Sequence, residues 1–190
     1  MAEGRRLLRA AGFRVSKRRF FEANTLLDAA GGTLGRAGCL LRIREVGGVG
    51  LLTYKGPAAA GKYKDREELE VQVADPRRLA ELVARLGFIK TLRYEKYRAE
   101  YRRPGESGVA TLDEVPFGVY FELEGTPAWI DRSARRLGFP ESAYIIESYF
   151  GLYAAYCREH GLPVGDMTFG GQQDASKGNR RDRDARMLGR

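Results

Sequence analysis

Charged and polar side chains recur at every second position in six short stretches of this sequence. The six sets are Arg42 and Arg44; Thr53 and Lys55; Arg66, Glu68 and Glu70; Lys96, Arg98 and Glu100; Thr111 and Asp113; and Glu122 and Glu124. Residues i and i+2 of a β-strand point to the same side of the sheet, so each set shares one face. The intervening residues are largely apolar, such as Leu41 and Ile43. The pattern therefore predicts strands with one apolar face and one ionic face.

The ionic face changes sign along the chain, from basic at residues 42–55 to mixed at 66–100 and acidic at 113–124. Arginine offers a planar fork to phosphate oxygens, and lysine offers a compact charge. The predicted phosphate-binding residues are Arg42, Arg44, Lys55, Lys96 and Arg98. Within that set, Lys55 and Arg98 are the candidate catalytic residues. The basic part of the face is thus suited to a polyanion.

The acidic part of the face is suited to a divalent cation, because Mg²⁺ and Mn²⁺ favour oxygen ligands. The predicted metal ligands are Asp113, Glu122 and Glu124. Without a metal ion, three converging carboxylates would repel one another. Glu68 and Glu70 are expected to support the site, either by sharing the metal or by holding the basic residues.

The same alternation is also typical of a sheet with one solvated side. Two observations favour a binding interior instead. Like charges are stacked within strands, as in Arg42 and Arg44, and this costs stability unless a counter-charge is present. The strands are also numerous enough to close into a barrel, which would turn the ionic face into a lumen.

Composition limits the other classes of function. The chain has 190 residues, 43% of them hydrophobic, and no apolar run of membrane-spanning length or secretory signal. Cys39 and Cys157 have no zinc-site spacing and are expected to be reduced thiols in a cytoplasmic protein. His160 is the only histidine, which argues against Ser-His-Asp and histidine-rich metal chemistry. The net charge of +8 suits an anionic ligand.

The elements that must position these residues alternate between strands and a few helices. Residues 1–168 are predicted to form one domain, and the basic segment 169–190 to be a disordered tail. Gly47-Gly48-Val49 indicates a hairpin between two of the strands. Strands are predicted at 15–28, 39–45, 50–55, 65–73, 92–102, 108–115 and 119–125. Helices are predicted at 3–11, 76–86, 127–137 and 148–159.

The ordered series of these motifs resembles the CYTH superfamily over roughly residues 5–168. The motifs are Leu-Arg-Ile-Arg (41–44), Leu-Leu-Thr-Tyr-Lys-Gly-Pro (51–57), Arg-Glu-Glu-Leu-Glu (66–70), Tyr-Glu-Lys-Tyr-Arg (94–98), Thr-Leu-Asp-Glu (111–114), Phe-Glu-Leu-Glu-Gly (121–125) and Ser-Tyr-Phe-Gly-Leu-Tyr (148–153). The chain is similar to the bacterial class IV adenylate cyclases and to the thiamine-triphosphatase and inorganic-triphosphatase relatives. The resemblance implies an α+β fold: an eight-stranded antiparallel triphosphate-tunnel β-barrel with flanking helices, which binds a triphosphate with Mg²⁺ or Mn²⁺.

The chain departs from the family at its first strand, which carries Glu-x-Glu-x-Lys in the family. Glu3 has no carboxylate two residues away and no lysine after it. We expect a start assigned downstream of the true one. The alternative is a seven-stranded barrel that lacks part of its metal site and is catalytically impaired.

Three classes of function follow from the sequence. The first is triphosphate chemistry, either ATP conversion to cyclic AMP and pyrophosphate or hydrolysis of tripolyphosphate or thiamine triphosphate. The second is a barrel that binds a polyphosphate or nucleotide without turning it over. The third, a nucleic-acid binder, is least favoured because the aromatic residues fall mostly on the apolar strand faces. A small-molecule triphosphate is the expected partner, no membrane is expected, and homodimer formation stays open.

Overall fold

A curved antiparallel sheet forms the centre of the molecule. The structure, a computed structural model, describes residues 1–63, 65–170 and 186–189. Within these residues, seven strands pair antiparallel and a short eighth strand is added at one edge. They are β1 (Arg14–Ala29), β2 (Leu40–Val46), β3 (Val49–Lys55), β4 (Glu68–Val73), β5 (Phe88–Arg102), β6 (Val109–Val115), β7 (Gly118–Glu124) and β8 (Arg186–Gly189). The predicted α+β class with seven antiparallel strands is confirmed.

The strand order is β4-β3-β2-β1-β5-β6-β7-β8, with β8 parallel to β7. Among the described strands, β4 forms no ladder with β7 or β8, so the sheet is barrel-like but not closed by hydrogen bonds. Its curvature is nevertheless strong, because residues of β4 and of β7 line the same cavity. The closed barrel expected from the strand count is therefore corrected to an open one.

Five helices in the described ranges accompany the sheet. They are α1 (Ala2–Ala10), α2 (Thr33–Arg36), α3 (Pro76–Arg85), α4 (Pro127–Arg136) and α5 (Tyr149–Glu159). Helices α1 and α4 cover the outer face of β5–β7 through Leu8, Trp129 and Ile130, which pack with Leu112 and Phe121. None of the helices in these ranges is long and apolar enough to cross a bilayer.

The outer face of β1–β3 packs against α3, where Val83 joins Leu27 and Ile43 in a smaller core. These residues lie on the apolar side of the alternation, so the sequence pattern explains which face the helices cover. Helix α5 belongs to the other side of the sheet, where Tyr149 and Tyr153 pack on Tyr120 and Val115. The sheet thus has an apolar outer face and a concave ionic face that α5 partly covers.

The predicted elements agree with the structure to within a few residues at most ends. Gly47 and Gly48, with φ of 57° and 84°, form the two-residue hairpin turn between β2 and β3. The largest differences are at β5, which begins four residues earlier than predicted, and at α2, which no pattern indicated. The predicted disordered tail lies largely outside the described residues, but Arg186–Gly189 forms β8.

Candidate functional site

The concave face of the sheet gathers the predicted site residues into one ionic network. Cross-strand register puts Arg42 opposite Thr53, Lys55 opposite Glu68, and Arg98 opposite Asp113. Directly opposite residues point to the same side, so these side chains share the concave face. Six of the eight residues predicted to bind phosphate or metal are buried, with exposed fractions from 0 to 7%: Arg42, Lys55, Lys96, Arg98, Asp113 and Glu122. Arg44 is partly buried and Glu124 is exposed.

One half of the network joins β2 and β3 to β4. Lys55 Nζ lies 2.7 Å from Glu68 Oε2. Arg42 Nη2 lies 3.8 Å from Glu68 Oε1 and 3.7 Å from Glu70 Oε2. Thr53 Oγ1 donates to Glu70 at 2.8 Å and accepts from Arg42 at 3.2 Å. Glu68 and Glu70 therefore contact the basic residues, which corresponds to the second of the two supporting roles predicted for them.

The other half of the network joins β5 to β6 and β7. Arg98 donates to Asp113 at 2.8 and 2.6 Å, and its Nη2 also contacts Glu122 Oε2. Lys96 Nζ and the Tyr149 hydroxyl add hydrogen bonds to Asp113 Oδ2 at 2.8 and 3.0 Å. Asp113 thus accepts hydrogen bonds from three side chains in a fully buried position.

The electrostatics of this half follow from opposing effects. Burial opposes ionisation of Asp113, but the charges of Arg98 and Lys96 outweigh it and lower the pKa of Asp113 below its ordinary value. Burial acts against the Arg98 cation too, yet Asp113 and Glu122 raise the Arg98 pKa well above its ordinary value. Both groups are therefore charged at neutral pH, and the pair is a true ion pair.

The carboxylates predicted to bind a metal have the right donor atoms but do not converge on an ion-sized space. Asp113 and Glu122 are both held by Arg98, and Glu124 Oε1 is 3.9 Å from the same guanidinium. In residues 1–63, 65–170 and 186–189, no group of three Asp, Glu, His or Cys side chains is placed to hold a metal. The arrangement does not fit a metal bound by the protein alone, and the predicted metal ligands stay a prediction.

A cavity of about 440 Å³ opens beside the network. Both halves contribute to its wall, which is lined by Arg44, Lys55, Asp65, Arg66, Glu68, Glu70, Arg98, Glu124 and Gly125. We name this space the tunnel cavity. Its size is in the range of small-molecule sites. Arg66, which the alternation marked but the predicted phosphate set omitted, is part of its wall.

The sequence interpretation missed the part of the ionic network that the central strand β1 supplies. Glu22 and Asn24 are 1% and 0% exposed, and they pair in register with Lys96 and Arg44. Glu22 Oε2 lies 3.6 Å from Lys96 Nζ and 3.7 Å from Arg44 Nε. The signal was available, because Glu22 and Asn24 alternate with Phe21 and Ala23.

Tyr94 is a second residue that the interpretation missed. It lies opposite Asn24 on β5, on the ionic face. Burial would raise the pKa of its phenol, but the charges of Arg42 and Lys96 outweigh burial and lower that pKa. The Tyr94 hydroxyl therefore lies within the field of the basic residues.

Comparisons with known proteins are consistent with this architecture. The family model described as the CYTH domain matches residues 2–136. A candidate adenylate cyclase of Methanocaldococcus jannaschii is 31% identical over 118 residues, which are 62% of this chain and 66% of that protein. The match thus spans slightly less than two thirds of the length of that relative.

Solved structures share the fold at lower identity. A candidate adenylate cyclase from Vibrio parahaemolyticus superposes with a TM-score of 0.66 at 20% identity, covering 80% of this chain and 91% of that one. A candidate adenylyl cyclase from Hippeastrum, described as having a dominant triphosphatase activity, has a TM-score of 0.54 at 20% identity. That match covers 86% of this chain and 84% of that one. At these identities the likeness shows the fold alone.

Proposed function

Because this chain belongs to the CYTH domain family, we propose that it is an enzyme that binds a triphosphate-bearing small molecule in the tunnel cavity and processes it with Mg²⁺ or Mn²⁺. The observation that carries the proposal is the convergence of basic side chains from three strands on one concave face. They are Arg42, Arg44, Lys55, Lys96 and Arg98. Four of these five cations are at most 7% exposed, and so many buried basic side chains on one face are rare unless each is paired with an anion.

The charge balance of the network supports a polyanion that arrives with a cation. Each of the five basic residues is already within 4 Å of at least one carboxylate. An incoming triphosphate must therefore compete with residues such as Glu68 and Glu122 for the same cations. Carboxylates that lose their cations need a new positive charge, since uncompensated buried charge is strongly unfavourable. A divalent ion bound with the substrate would supply it.

The reaction that we propose first is of the class IV adenylate cyclase type. The ribose 3′-hydroxyl of ATP attacks the α-phosphorus, and pyrophosphate leaves as cyclic AMP forms. Lys55 and Arg98 act as the catalytic residues by neutralising charge on the phosphate oxygens, and Arg42, Arg44 and Lys96 hold the remaining oxygens. Positioning and charge stabilisation carry such a reaction without a protein nucleophile. The family relation to candidate adenylate cyclases supports this choice.

The alternative is hydrolysis of tripolyphosphate or thiamine triphosphate, in which water attacks the terminal phosphorus. The same basic side chains would neutralise the phosphate oxygens in that reaction. The Hippeastrum neighbour, with its dominant triphosphatase activity, supports this alternative. A barrel that binds polyphosphate without turnover is the third outcome. A cytoplasmic location remains a prediction.

Product analysis tests these proposals. The protein is incubated with ATP, tripolyphosphate or thiamine triphosphate, with Mg²⁺ or Mn²⁺, and the products are separated. Cyclic AMP with pyrophosphate selects the cyclase, and inorganic phosphate selects the hydrolase. Binding by calorimetry without product selects the non-catalytic barrel. If none of the three compounds binds or reacts under either metal, the proposed function is wrong.

A further inference from the structure

An apolar surface lies beside α3, on the outer side of the sheet and away from the tunnel cavity. It contains the four most exposed large apolar side chains of the described residues, with exposed fractions from 57 to 68%: Leu69, Val71, Leu82 and Leu86. We name this set the β4–α3 patch. Soluble monomers rarely leave large apolar residues exposed together, so the patch indicates an interaction surface.

The β4 part of the patch lies on the outer face because it alternates with residues of the tunnel cavity. Glu68 and Glu70 line that cavity, so the side chains of Leu69 and Val71 point to the other side of the strand. Val71 is directly opposite Leu52, which packs against the small core beneath α3. Among the strands that the structure describes, β4 is the outermost at its end of the sheet. Its outer face is therefore left open beside α3.

The α3 part of the patch faces the same region. Leu79 packs against the small core beneath the helix. Leu82 and Leu86 follow Leu79 by three and seven residues, so the three side chains share one side of the helix. The opposite side of α3 carries Arg77 and Ala80, which line a separate cavity over β1. Leu82 and Leu86 are thus directed away from β1, to the side of α3 where β3 and β4 lie.

Two exposed residues of opposite charge border the patch at its two ends. Glu67 comes immediately before β4, and Arg78 lies in the first turn of α3, which begins just after β4 ends at Val73. The length of β4, about 20 Å for its six residues, therefore separates the two charges. The Arg78 guanidinium is 3.8 Å from Asp75, and the Arg78 side chain is 87% exposed. Such an exposed pair is weak, so it does not prevent Arg78 from pairing with another carboxylate.

We propose that the β4–α3 patch is the interface of a two-fold symmetric homodimer. A two-fold axis in the plane of the patch, perpendicular to the line that joins Glu67 and Arg78, exchanges the two ends. Each Glu67 then meets Arg78 of the other copy, and the apolar centres of the two patches pack together and leave water. This complementarity of the surface to itself, in charge as well as in polarity, favours a second copy over an unrelated partner.

The first experiment measures the oligomeric state of the wild-type protein. Sedimentation velocity is recorded at concentrations from about 1 to 100 μM, a range that detects dissociation constants in the micromolar range. We expect a concentration-dependent equilibrium between one and two chains, or a dimer throughout. A monomer at every concentration would overturn the proposal and would assign the patch to a different partner. An assembly larger than a dimer would overturn the closed two-fold arrangement.

The second experiment tests the pairing of the two charges. Glu67→Arg and Arg78→Glu should each raise the dissociation constant of the dimer by at least about tenfold, because like charges then face each other twice in one interface. The double variant exchanges the two signs and should restore the dissociation constant to near the wild-type value. Glu159→Arg, the same change of charge at the exposed end of α5, is the matched control. A double variant no better than the single variants would contradict the proposed orientation.

A third experiment tests the apolar centre. Leu82→Glu should give a monomer over the same range of concentrations, because burial of the patch would bring an unpaired carboxylate out of water. Val15→Glu is the control, because Val15 is an exposed apolar residue of β1 outside the patch. A dimer that persists in Leu82→Glu would show that the copies meet elsewhere and would overturn the proposal. Circular dichroism checks that each variant is folded, and should Leu82→Glu not fold, the charge-exchange variants still decide.

Discussion

Arg98 and Asp113 face each other across β5 and β6 and form a two-point ion pair, with Arg98 Nε 2.8 Å from Oδ1 and Nη2 2.6 Å from Oδ2. Both side chains are buried, at 6% and 0% exposed. The pair lies at the centre of the half of the network that joins β5 to β6 and β7, because Arg98 also contacts Glu122 and Asp113 also binds Lys96. Its integrity therefore bears on both stability and ligand binding.

Asp113→Asn should destabilise the fold by about 3–5 kcal/mol, since removal of one partner leaves buried cations without compensation. The measurement is the free energy of unfolding from urea denaturation. Glu124→Gln is the matched control, because Glu124 is 48% exposed and its oxygen is 3.9 Å from Arg98. We expect that change to cost less than about 1 kcal/mol. Equal effects of the two changes would argue against a buried ion pair.

Lys55→Met should lower tripolyphosphate affinity by about 10–100-fold and abolish turnover while leaving the fold intact. The physical reason is loss of a charged hydrogen bond in a nearly buried position, worth about 1.5–3 kcal/mol. Calorimetry and a steady-state product assay provide the readouts. Lys90→Met is the control, because Lys90 pairs with Asp166 on the surface. Turnover at the wild-type rate in Lys55→Met would exclude Lys55 as a catalytic residue.

Asp28 should contribute pH-dependent stability. Its carboxylate accepts from the backbone amides of Gly35 and Leu34 at 2.9 and 2.8 Å, and these bonds lower its pKa below the ordinary value. A lowered native pKa gives stability that is complete above the unfolded value of about 3.9 and is lost as pH falls through the native value. The stability difference between wild type and Asp28→Asn should thus shrink from pH 6 toward pH 3. A difference that does not change with pH would contradict this.

Lys62 should stabilise the packing of the β3–β4 connection against α4 and the following 3₁₀ turn (Glu141–Ala143). Its ammonium lies 3.1 Å from Asp131 Oδ1 and 2.8 Å from Glu141 Oε2, and the hydrogen bond to Glu141 contributes most to raising the Lys62 pKa. Lys62→Met should speed hydrogen exchange at the Ala59 amide, which donates to the backbone carbonyl of Asp65 within the same connection. Unchanged exchange at Ala59 would mean that other contacts hold the connection. Arg36→Met, on α2, is the control.

Metal removal should stop catalysis. Under the proposed function, treatment with EDTA followed by desalting leaves a protein without turnover, and added Mg²⁺ or Mn²⁺ restores it. The reason is that the carboxylates of the tunnel cavity lose their cations when triphosphate binds. The assay is product formation from ATP and tripolyphosphate with each metal. Full activity in excess EDTA would show that turnover by this chain does not depend on a divalent metal.

Much of this protein follows from its sequence alone. The period-two alternation identified the ionic faces of β2 through β7, and the ordered motifs identified the family. Even the hairpin at Gly47 and Gly48 was predictable, because adjacent glycines permit the positive φ angles that a tight turn needs. These features depend on residues close together in the chain, so local pattern is enough to specify them.

The partners of each charge were decided only by tertiary structure. Lys55 could have faced any carboxylate, and cross-strand register assigned it to Glu68. Glu22 and Asn24 became part of the site because β1 is the central strand, between β2 and β5. The curvature that brings β4 and β7 to one cavity joins strands about 50 residues apart in the sequence. Register and curvature arise from packing between distant segments, and no local spacing of residue types encodes them.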